Sequence, residues 1–448
     1  MARSDRSSMG ISRRTFLKGA ALSGIGLTAM PLSRRAEAAA AQTVVRFAGW
    51  AFEPQVAEAN TKRFMEQNPD IKVEFTPLDM QLYNEKMVAL FNAGTQPDAF
   101  YVRDMNLGAW VEAGWVQPID GLPDLADLNK DIFPFNLEGM KYKGKQYGTP
   151  YYGDIYVYMC DKKALQKVGI AKAPVTLDQL RLAALAVKKA GMAEYPILKG
   201  FKTNVDGLSE FWSMVLASGG NLFDEEMNPL YPDKDKTALS VLEWMVQAIH
   251  EWKILDPKGL ELDETQARDA FINGQGFFTS NVGNVLPRVN NPQYSKRAGD
   301  IEPTRFPALS DVGKGPMGWT RLYCIDAKTK VRDAAWRLIF YMGGKDKSGT
   351  YYTAKDWYAK YGVGYAFKSL DTDPEMIKLV RAAGWDLEVR SQQYATARAR
   401  QNITTTWYNE WDRFTQQQLQ NALVKKGSPR DALTASANKA RELKKQWG

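Results

Sequence analysis

Residues Gly144–Leu165 read GKQYGTPYYGDIYVYMCDKKAL. The stretch holds five tyrosines (147, 151, 152, 156 and 158), one acid set among apolar residues, Asp154, and one of the chain's two cysteines. If the run is extended, Tyr156 and Tyr158 share one face, because side chains alternate along a strand with period two, and such a face is core. Whether the stretch belongs to an active site, a binding cleft or an ordinary sheet depends on the residues around it.

Upstream, Thr43–Ala48 (TVVRFA) is a β-rich run ending at Gly49-Trp50. Val56, Ala59, Arg63 and Phe64 follow at helical spacing, and Asn68-Pro69 stops the helix. Ile71–Phe75 alternates as a strand; Met87, Leu90 and Phe91 mark a second helix closed by Gly94. Asp98–Val102 reads as a third strand and leads into a helix through Trp110 and Val111. This β-α-β-α-β-α order predicts a parallel sheet covered by helices. Downstream the pattern turns to helices at Leu177–Lys189, Ser209–Ala217, Thr237–Trp252, Thr265–Ile272, Arg332–Met342, Asp373–Ala383 and Thr405–Leu423. At 448 residues two domains are expected, with the chain crossing between two α/β lobes more than once.

Open α/β sheets bind ligands beyond the carboxyl ends of their strands. Here those positions hold Trp50, Phe52 and Glu53 after the first strand, Asp79 to Tyr83 after the second, and Arg103-Asp104 after the third. Rings pack on apolar C–H faces while acids and arginines hydrogen-bond hydroxyls, a mixture that suits a sugar.

The formal charge of +8 is concentrated at the start. Residues 1–38 carry seven basic and two acidic residues, which leaves 52 basic against 49 acidic. No basic cluster stands out in that remainder, so a nucleic-acid partner is not expected. The opening residues run SRRTFLKGAALSGIGLTAMPLSRRAEA from Ser12, with an apolar run too short to span a bilayer and small residues at 36 and 38. Ser12–Lys18 resembles the twin-arginine export signal, which carries folded proteins across a bacterial inner membrane. A soluble periplasmic chain starting near Ala39 is expected, without a lipid anchor, since no cysteine follows the apolar run. Cys160 and Cys324 could form one bridge in that compartment or remain two buried thiols.

Catalytic motifs are sparse. The single histidine, His250, sits near the end of a helix, where it serves the last carbonyls or packs on Trp252, and no Gly-x-Ser-x-Gly elbow accompanies it. Metal sites needing two histidines are excluded, and no cofactor is called for. Gly344–Thr350 lacks the Lys-Ser/Thr of a phosphate loop, and Gly362-Val363-Gly364 lacks the third glycine of a dinucleotide fingerprint. Paired carboxylates, Asp154 with Glu53 or Asp104, keep a secreted carbohydrate hydrolase open as the alternative.

Seven stretches then occur in a recognisable order: the first strand into Trp50, YNEKMVALFNAGTQPDAFYV, WVEAGWVQPID, GKQYGTPYYGDIYVYMCDKKALQKVGI, LASGGNLFDEE, FINGQGFFTSN and GWTRLYCIDAKTKVRDAAWRLIFYM. Together they resemble an extracellular solute-binding protein of a carbohydrate ABC importer, the group that includes maltose-binding protein. The resemblance implies an α/β periplasmic-binding-protein-like fold: two lobes joined by crossing hinge strands with a ligand cleft between them. It implies crossings at Tyr152–Tyr156 and Trp319–Tyr323 and a third near Gly362–Phe367, with one lobe formed by 42–152 plus 324–364 and the other by 153–323 plus 365–448. Gly153 would permit an unusual hinge backbone. Cleft residues implied are Tyr152, Asp154, Trp212, Trp319, Arg321 and Trp407, beside Trp50, Phe52, Glu53, Tyr83, Arg103 and Asp104 from the strand ends. By the same analogy Cys324 lies on the strand beside Cys160. The expected protein is a monomer without catalysis, passing a carbohydrate to membrane permease subunits. Arg103 and Arg321 leave an anionic sugar or polyol derivative open.

Overall fold

The parallel half of the sheet begins at Thr43. In the computed structural model, which describes residues 42–203 and 208–447, β1 (Thr43–Trp50), α1 (Pro54–Gln67), β2 (Ile71–Leu78), α2 (Tyr83–Ala93), β3 (Ala99–Arg103) and α3 (Asp104–Glu112) follow one another. The twin-arginine segment and the export route it implies lie outside the described residues. Pro54 opens α1 with its φ already set for a helix, and Gly94, at φ 68°, closes α2 where a side chain would be strained. β1 pairs in parallel with β2 and with β3.

The chain continues through α4 (Leu125–Asp131), α5 (Pro134–Gly139) and a small hairpin, β4 (Lys141–Tyr142) with β5 (Lys145–Gln146), into β6 (Gly148–Asp161). Then come α6 (Lys162–Lys167), α7 (Leu177–Lys189), α8 (Ser209–Ala217), α9 (Thr237–His250), α10 (Glu264–Ile272), β7 (Phe278–Val282), α11 (Leu286–Val289), β8 (Ile301–Thr304) and β9 (Gly318–Ile325). Six more helices end the chain: α12 (Arg332–Met342), α13 (Tyr352–Tyr361), α14 (Pro374–Ala382), α15 (Leu387–Thr396), α16 (Tyr408–Leu423) and α17 (Pro429–Trp447). No helix among the described residues is long and apolar enough to cross a membrane.

The sheet runs β2-β1-β3-β9-β6-β7, with β8 also on β6. It is mixed, which corrects the expectation of a purely parallel one: β9 enters antiparallel between β3 and β6. β6 is the long crossing element. Its first half, Gly148–Ile155, pairs with β9, and its second half, Tyr156–Asp161, pairs with β7 and β8. Its second half is buried on both faces, so each face serves a different core. Ile155, Val157 and Met159 join the cluster built around β1, β3 and α12; Tyr156, Tyr158 and Cys160 join a second cluster against α7–α9, α16 and α17.

Three further expectations are corrected, and the choice left open for the cysteines is decided. Gly362–Phe367 contains no strand: Gly362 caps α13 at φ 67°, and the only pairing in the stretch is a lone bridge between Phe367 and Ile132. Gly153 does not take a left-handed backbone; it is needed because a Cβ there would fall 2.0 Å from Asn136 Nδ2. Two helices of the expected set are trimmed by two or three residues, α9 ending at His250 and α16 starting at Tyr408. Of the two readings open for the cysteines, the buried thiols are the one found: Cys160 and Cys324 are both free. Cys324 faces Gly148 on β6, and Cys160 lies twelve residues further on, roughly 40 Å along an extended strand. A disulfide needs Cα atoms within about 7 Å.

His250 and the Gly344–Thr350 turn both have structural partners, His250 on a helix other than its own. His250 Nε2 lies 2.8 Å from the carbonyl of Leu423 at the end of α16. In the Gly344–Thr350 turn the Asp346 carboxylate already accepts the amides of Ser348 (2.8 Å) and Thr350 (3.0 Å), which is where a phosphate would need free donors.

Candidate ligand cleft

The carboxyl ends of the parallel strands converge on one cavity of about 280 Å³. β1 ends in Trp50, followed by Phe52; the loop after β2 supplies Met80 and Gln81; β3 ends in Arg103. β9 begins beside β3, so Arg321 stands in register with Arg103 and Trp319 lies one pleat earlier on the same face. From β6 come Tyr151, Tyr152 and Asp154, and from beyond β7 come Val282 and Asn284, with Val363 closing the wall.

The rings are held by other rings. Trp50 packs edge-on against Tyr101 (4.8 Å), Tyr83 (5.3 Å) and Tyr151 (5.5 Å), and Arg103 lies 5.7 Å over it. Phe52 stacks on Trp357, and Trp319, half-buried, rests edge-on against Tyr156 at 5.5 Å. These contacts fix the orientation of the aromatic surfaces before anything binds, which lowers the entropic cost of binding.

The polar groups are equally constrained. Asp154 is 2% exposed; Oδ1 accepts from the Ile155 amide (2.9 Å) and the Tyr394 hydroxyl (3.0 Å), and Oδ2 accepts from the Asn284 amide (3.2 Å). Burial pushes its carboxyl up to about 6, against the pull of those hydrogen bonds and of Arg390. Arg321 Nη1 donates to Asp104 Oδ1 at 2.7 Å, while Asp104 Oδ2 accepts the Thr320 amide at 2.8 Å.

The profile of the family described as bacterial extracellular solute-binding protein matches residues 51–349. The chain belongs to that family. It is 26% identical over 297 residues to the maltotriose-binding protein of Pyrococcus abyssi (strain GE5 / Orsay), covering 64% of this chain and 59% of that one. It is 25% identical over 172 residues to the mannitol-binding protein of Pseudomonas aeruginosa, covering 38% of this chain and 39% of that one. The alignments thus span less than two thirds of either relative. The sugar-binding protein MalE from Xanthomonas citri shares the fold, with TM-score 0.76 at 18% identity over 90% of this chain and 98% of that one.

In this solute-binding protein the cavity gathers seven of the sequence-derived residues: Trp50, Phe52, Arg103, Tyr152, Asp154, Trp319 and Arg321. Asp104 stands just behind the wall, holding Arg321. Tyr83 is buried with its hydroxyl 2.8 Å from the Tyr101 carbonyl and supports Trp50 from the rear. Glu53 caps α1 in a left-handed conformation and accepts from Gln55, outside the wall. Trp212 and Trp407 are not brought to the cavity: both lie in the second core, Trp212 against Trp411 and Trp407 against Phe223.

Met80 and Gln81, from the Asp79–Tyr83 stretch after the second strand, also line the cavity, together with Tyr151, Val282, Asn284 and Val363, which the sequence does not mark as cleft residues. The strand-end rule, applied to β7 as it was to β1–β3, points to Val282 and Asn284. A larger groove, about 520 Å³, lies beside the far end of α1 between Phe64, Trp336 and Phe340. It is away from the strand ends, and its cations are engaged: Arg337 with Asp70 (2.6 Å) and Lys347 with the Gln67 carbonyl (2.6 Å).

Proposed function

We propose that this chain is the periplasmic substrate-binding component of an ABC importer, capturing a neutral sugar or polyol between two lobes and delivering it to a membrane permease. The division follows β6 and β9, with 42–152 plus 324–364 as one lobe and 153–323 plus 365–448 as the other. The chain acts as a monomer, exported folded by the twin-arginine route and carrying no lipid anchor.

The observation that carries this reading is the composition of the cavity wall. Five aromatic residues line it, and Asp154 is the one carboxylate among the described lining residues. Aromatic faces take the C–H surfaces of a carbohydrate, and Asp154, Asn284, Gln81 and Arg103 supply hydrogen bonds. A glycosidase needs two carboxylates flanking the bond, and neither Glu53 nor Asp104 reaches the wall. The charges favour a neutral ligand, because Asp104 pairs with Arg321 and the rest of the wall holds one arginine, Arg103, and one carboxylate, Asp154.

The volume of about 280 Å³ lies at the lower end of the range for small-molecule sites, about 300–1,000 Å³. One sugar unit or an acyclic polyol fits it better than a long oligosaccharide. The curated relatives bear names for a maltotriose-binding and a mannitol-binding protein, which brackets the class. Closure follows only if the ligand prefers the closed form, and a ligand touching β1 and β3 on one side and Asn284 on the other supplies that preference.

Thermal unfolding against sugars, polyols, oligosaccharides and sugar acids tests the reading, with each sample chromatographed afterwards. A compound at 100 times its dissociation constant adds about 2.7 kcal/mol. A neutral monosaccharide or polyol recovered intact with a raised midpoint is the expected result. Cleavage of the compound would transfer the chain to the hydrolase class, and a response confined to sugar acids would overturn the neutral-ligand reading.

A further inference from the structure

The Asp154 carboxylate is gripped by three separate segments. Oδ1 takes two donors, the Ile155 amide from β6 and the Tyr394 hydroxyl from α15, whereas Oδ2 takes one, the Asn284 amide. A carboxylate offers about four lone-pair sites, so Oδ1 is filled and Oδ2 keeps one acceptor position. Two glycines press against the group. A Cβ on Gly283 would fall 2.4 Å from Oδ1, and one on Gly364 would fall 2.9 Å from Cγ. The carboxylate has no room to swing, and Oδ2 is the oxygen with an acceptor position left.

Tyr394 lines no part of the cavity and is 2% exposed. Its ring is one plate of a cationic sandwich: Arg390 Cζ lies 4.0 Å from the Tyr394 ring centre and 4.3 Å from that of Tyr365. Arg390 is paired with Asp371, which also accepts from the Tyr365 hydroxyl at 2.8 Å. Buried cation–ring contacts of this kind are strong and directional.

We propose that Tyr394 is a positioning residue for ligand recognition: by filling Oδ1 of Asp154 it commits the remaining acceptor site, on Oδ2, to the cavity, and Arg390 locks Tyr394 in that pose. The inference rests on the cavity being the ligand site. The titratable and charged groups facing Asp154 are Tyr394 and Arg390 from α15, Tyr358 from α13, and Arg321 and Arg103 in the shared cavity wall. Burial raises Asp154, while the Tyr394 hydroxyl and the Arg390 charge hold it down. Without the hydroxyl, Asp154 keeps its proton to higher pH and its acceptor is lost earlier.

Tyr394→Phe removes the hydroxyl and keeps the ring on Arg390. The Asp154 carboxyl is titrated by carbon-13 resonance in aspartate-labelled protein, assigned with Asp154→Asn, and this readout needs no ligand. Affinity for D-mannitol, D-tagatose and maltose is measured in parallel by calorimetry from about pH 5 to 8. The expected result is a titration midpoint raised by about half a unit to one unit in Tyr394→Phe. Affinity for whichever probe binds the wild type should fall about tenfold at pH 6 and recover partly at pH 8. A variant that merely loosens the fold lowers stability but leaves the midpoint in place. An unchanged midpoint overturns the proposal, as does a raised midpoint with unaltered affinity. A raised midpoint in a protein that binds none of the three probes would instead overturn the cavity as a sugar or polyol site, and the recognition role with it.

Discussion

Asp104 and Arg321 form an ion pair directly behind the cavity wall, Oδ1 to Nη1 at 2.7 Å, with side chains 1% and 9% exposed. Asp104 sits at the start of α3, where the helix end favours a negative charge. Arg321 therefore arrives at the cavity already neutralised. Removing one partner of a buried pair leaves an uncompensated charge, so Asp104→Asn should cost about 3 kcal/mol in urea unfolding. In the folded fraction, sugar acids should gain affinity relative to neutral sugars. Wild-type affinity for its neutral ligand should change less than about twofold between 0.05 and 0.5 M salt.

The tryptophans separate into two groups by environment. Trp319 presents a half-buried ring to the cavity, whereas Trp212 and Trp407 are core. Trp319→Ala should weaken ligand binding at least about tenfold with a small change in melting midpoint. Trp212→Ala should cost about 3–5 kcal/mol of stability and leave the affinity of the folded fraction intact. Calorimetry and urea unfolding on the same preparations distinguish the two outcomes.

Asp154 also sets a pH dependence of stability. Its carboxyl rises from 3.8 to about 6 on folding, so the native state holds its proton more tightly than the unfolded chain. Below about pH 4 both states are protonated and the contribution is fully present; it is lost as pH rises to about 6, a difference of about 3 kcal/mol. The stability of Asp154→Asn relative to wild type should therefore improve by that amount between about pH 4 and pH 7. A pH-independent difference would show an unperturbed carboxyl.

The hinge region depends on a close approach. Gly153 leaves room for Asn136, whose side chain donates to Thr320 Oγ1 on β9. Gly153→Ala should destabilise by about 1–3 kcal/mol through overpacking. Asn136→Ala removes the obstacle as well as the hydrogen bond, so the double variant should lose less than the sum of the single ones by at least about 1 kcal/mol. Strict additivity would mean that the two positions do not interact.

The first three strands and their helices were legible because each carries its own period and its own stop: Asn68-Pro69 after α1, Gly94 after α2. Helices α7, α8 and α12 were bounded to the residue by apolar spacing. The antiparallel insertion of β9 was not, since it joins segments more than two hundred residues apart and no local pattern encodes that pairing. The site divides in the same way. Trp50, Phe52 and Arg103 follow from strand ends, while the backbone amide with which Asn284 holds Asp154 leaves no mark in the residue type. The resemblance implies Trp212 and Trp407 as cleft residues, yet a tryptophan reads alike in a core and at a surface, and packing puts both in the second core. Gly153 is required by a crowded neighbour, Asn136, and not by a strained backbone, which its residue type alone does not distinguish.

The most direct measurement is a calorimetric titration of the compound that most raises the unfolding midpoint, into the wild type and into a Trp319→Ala, Asp154→Asn double variant, with the compound recovered and chromatographed. One-to-one saturable binding, loss of binding in the folded double variant, and a neutral sugar or polyol recovered unaltered are the expected results. Heat that continues past saturation with a cleaved product, or full-strength binding by the double variant, would contradict a binding protein that uses this cavity.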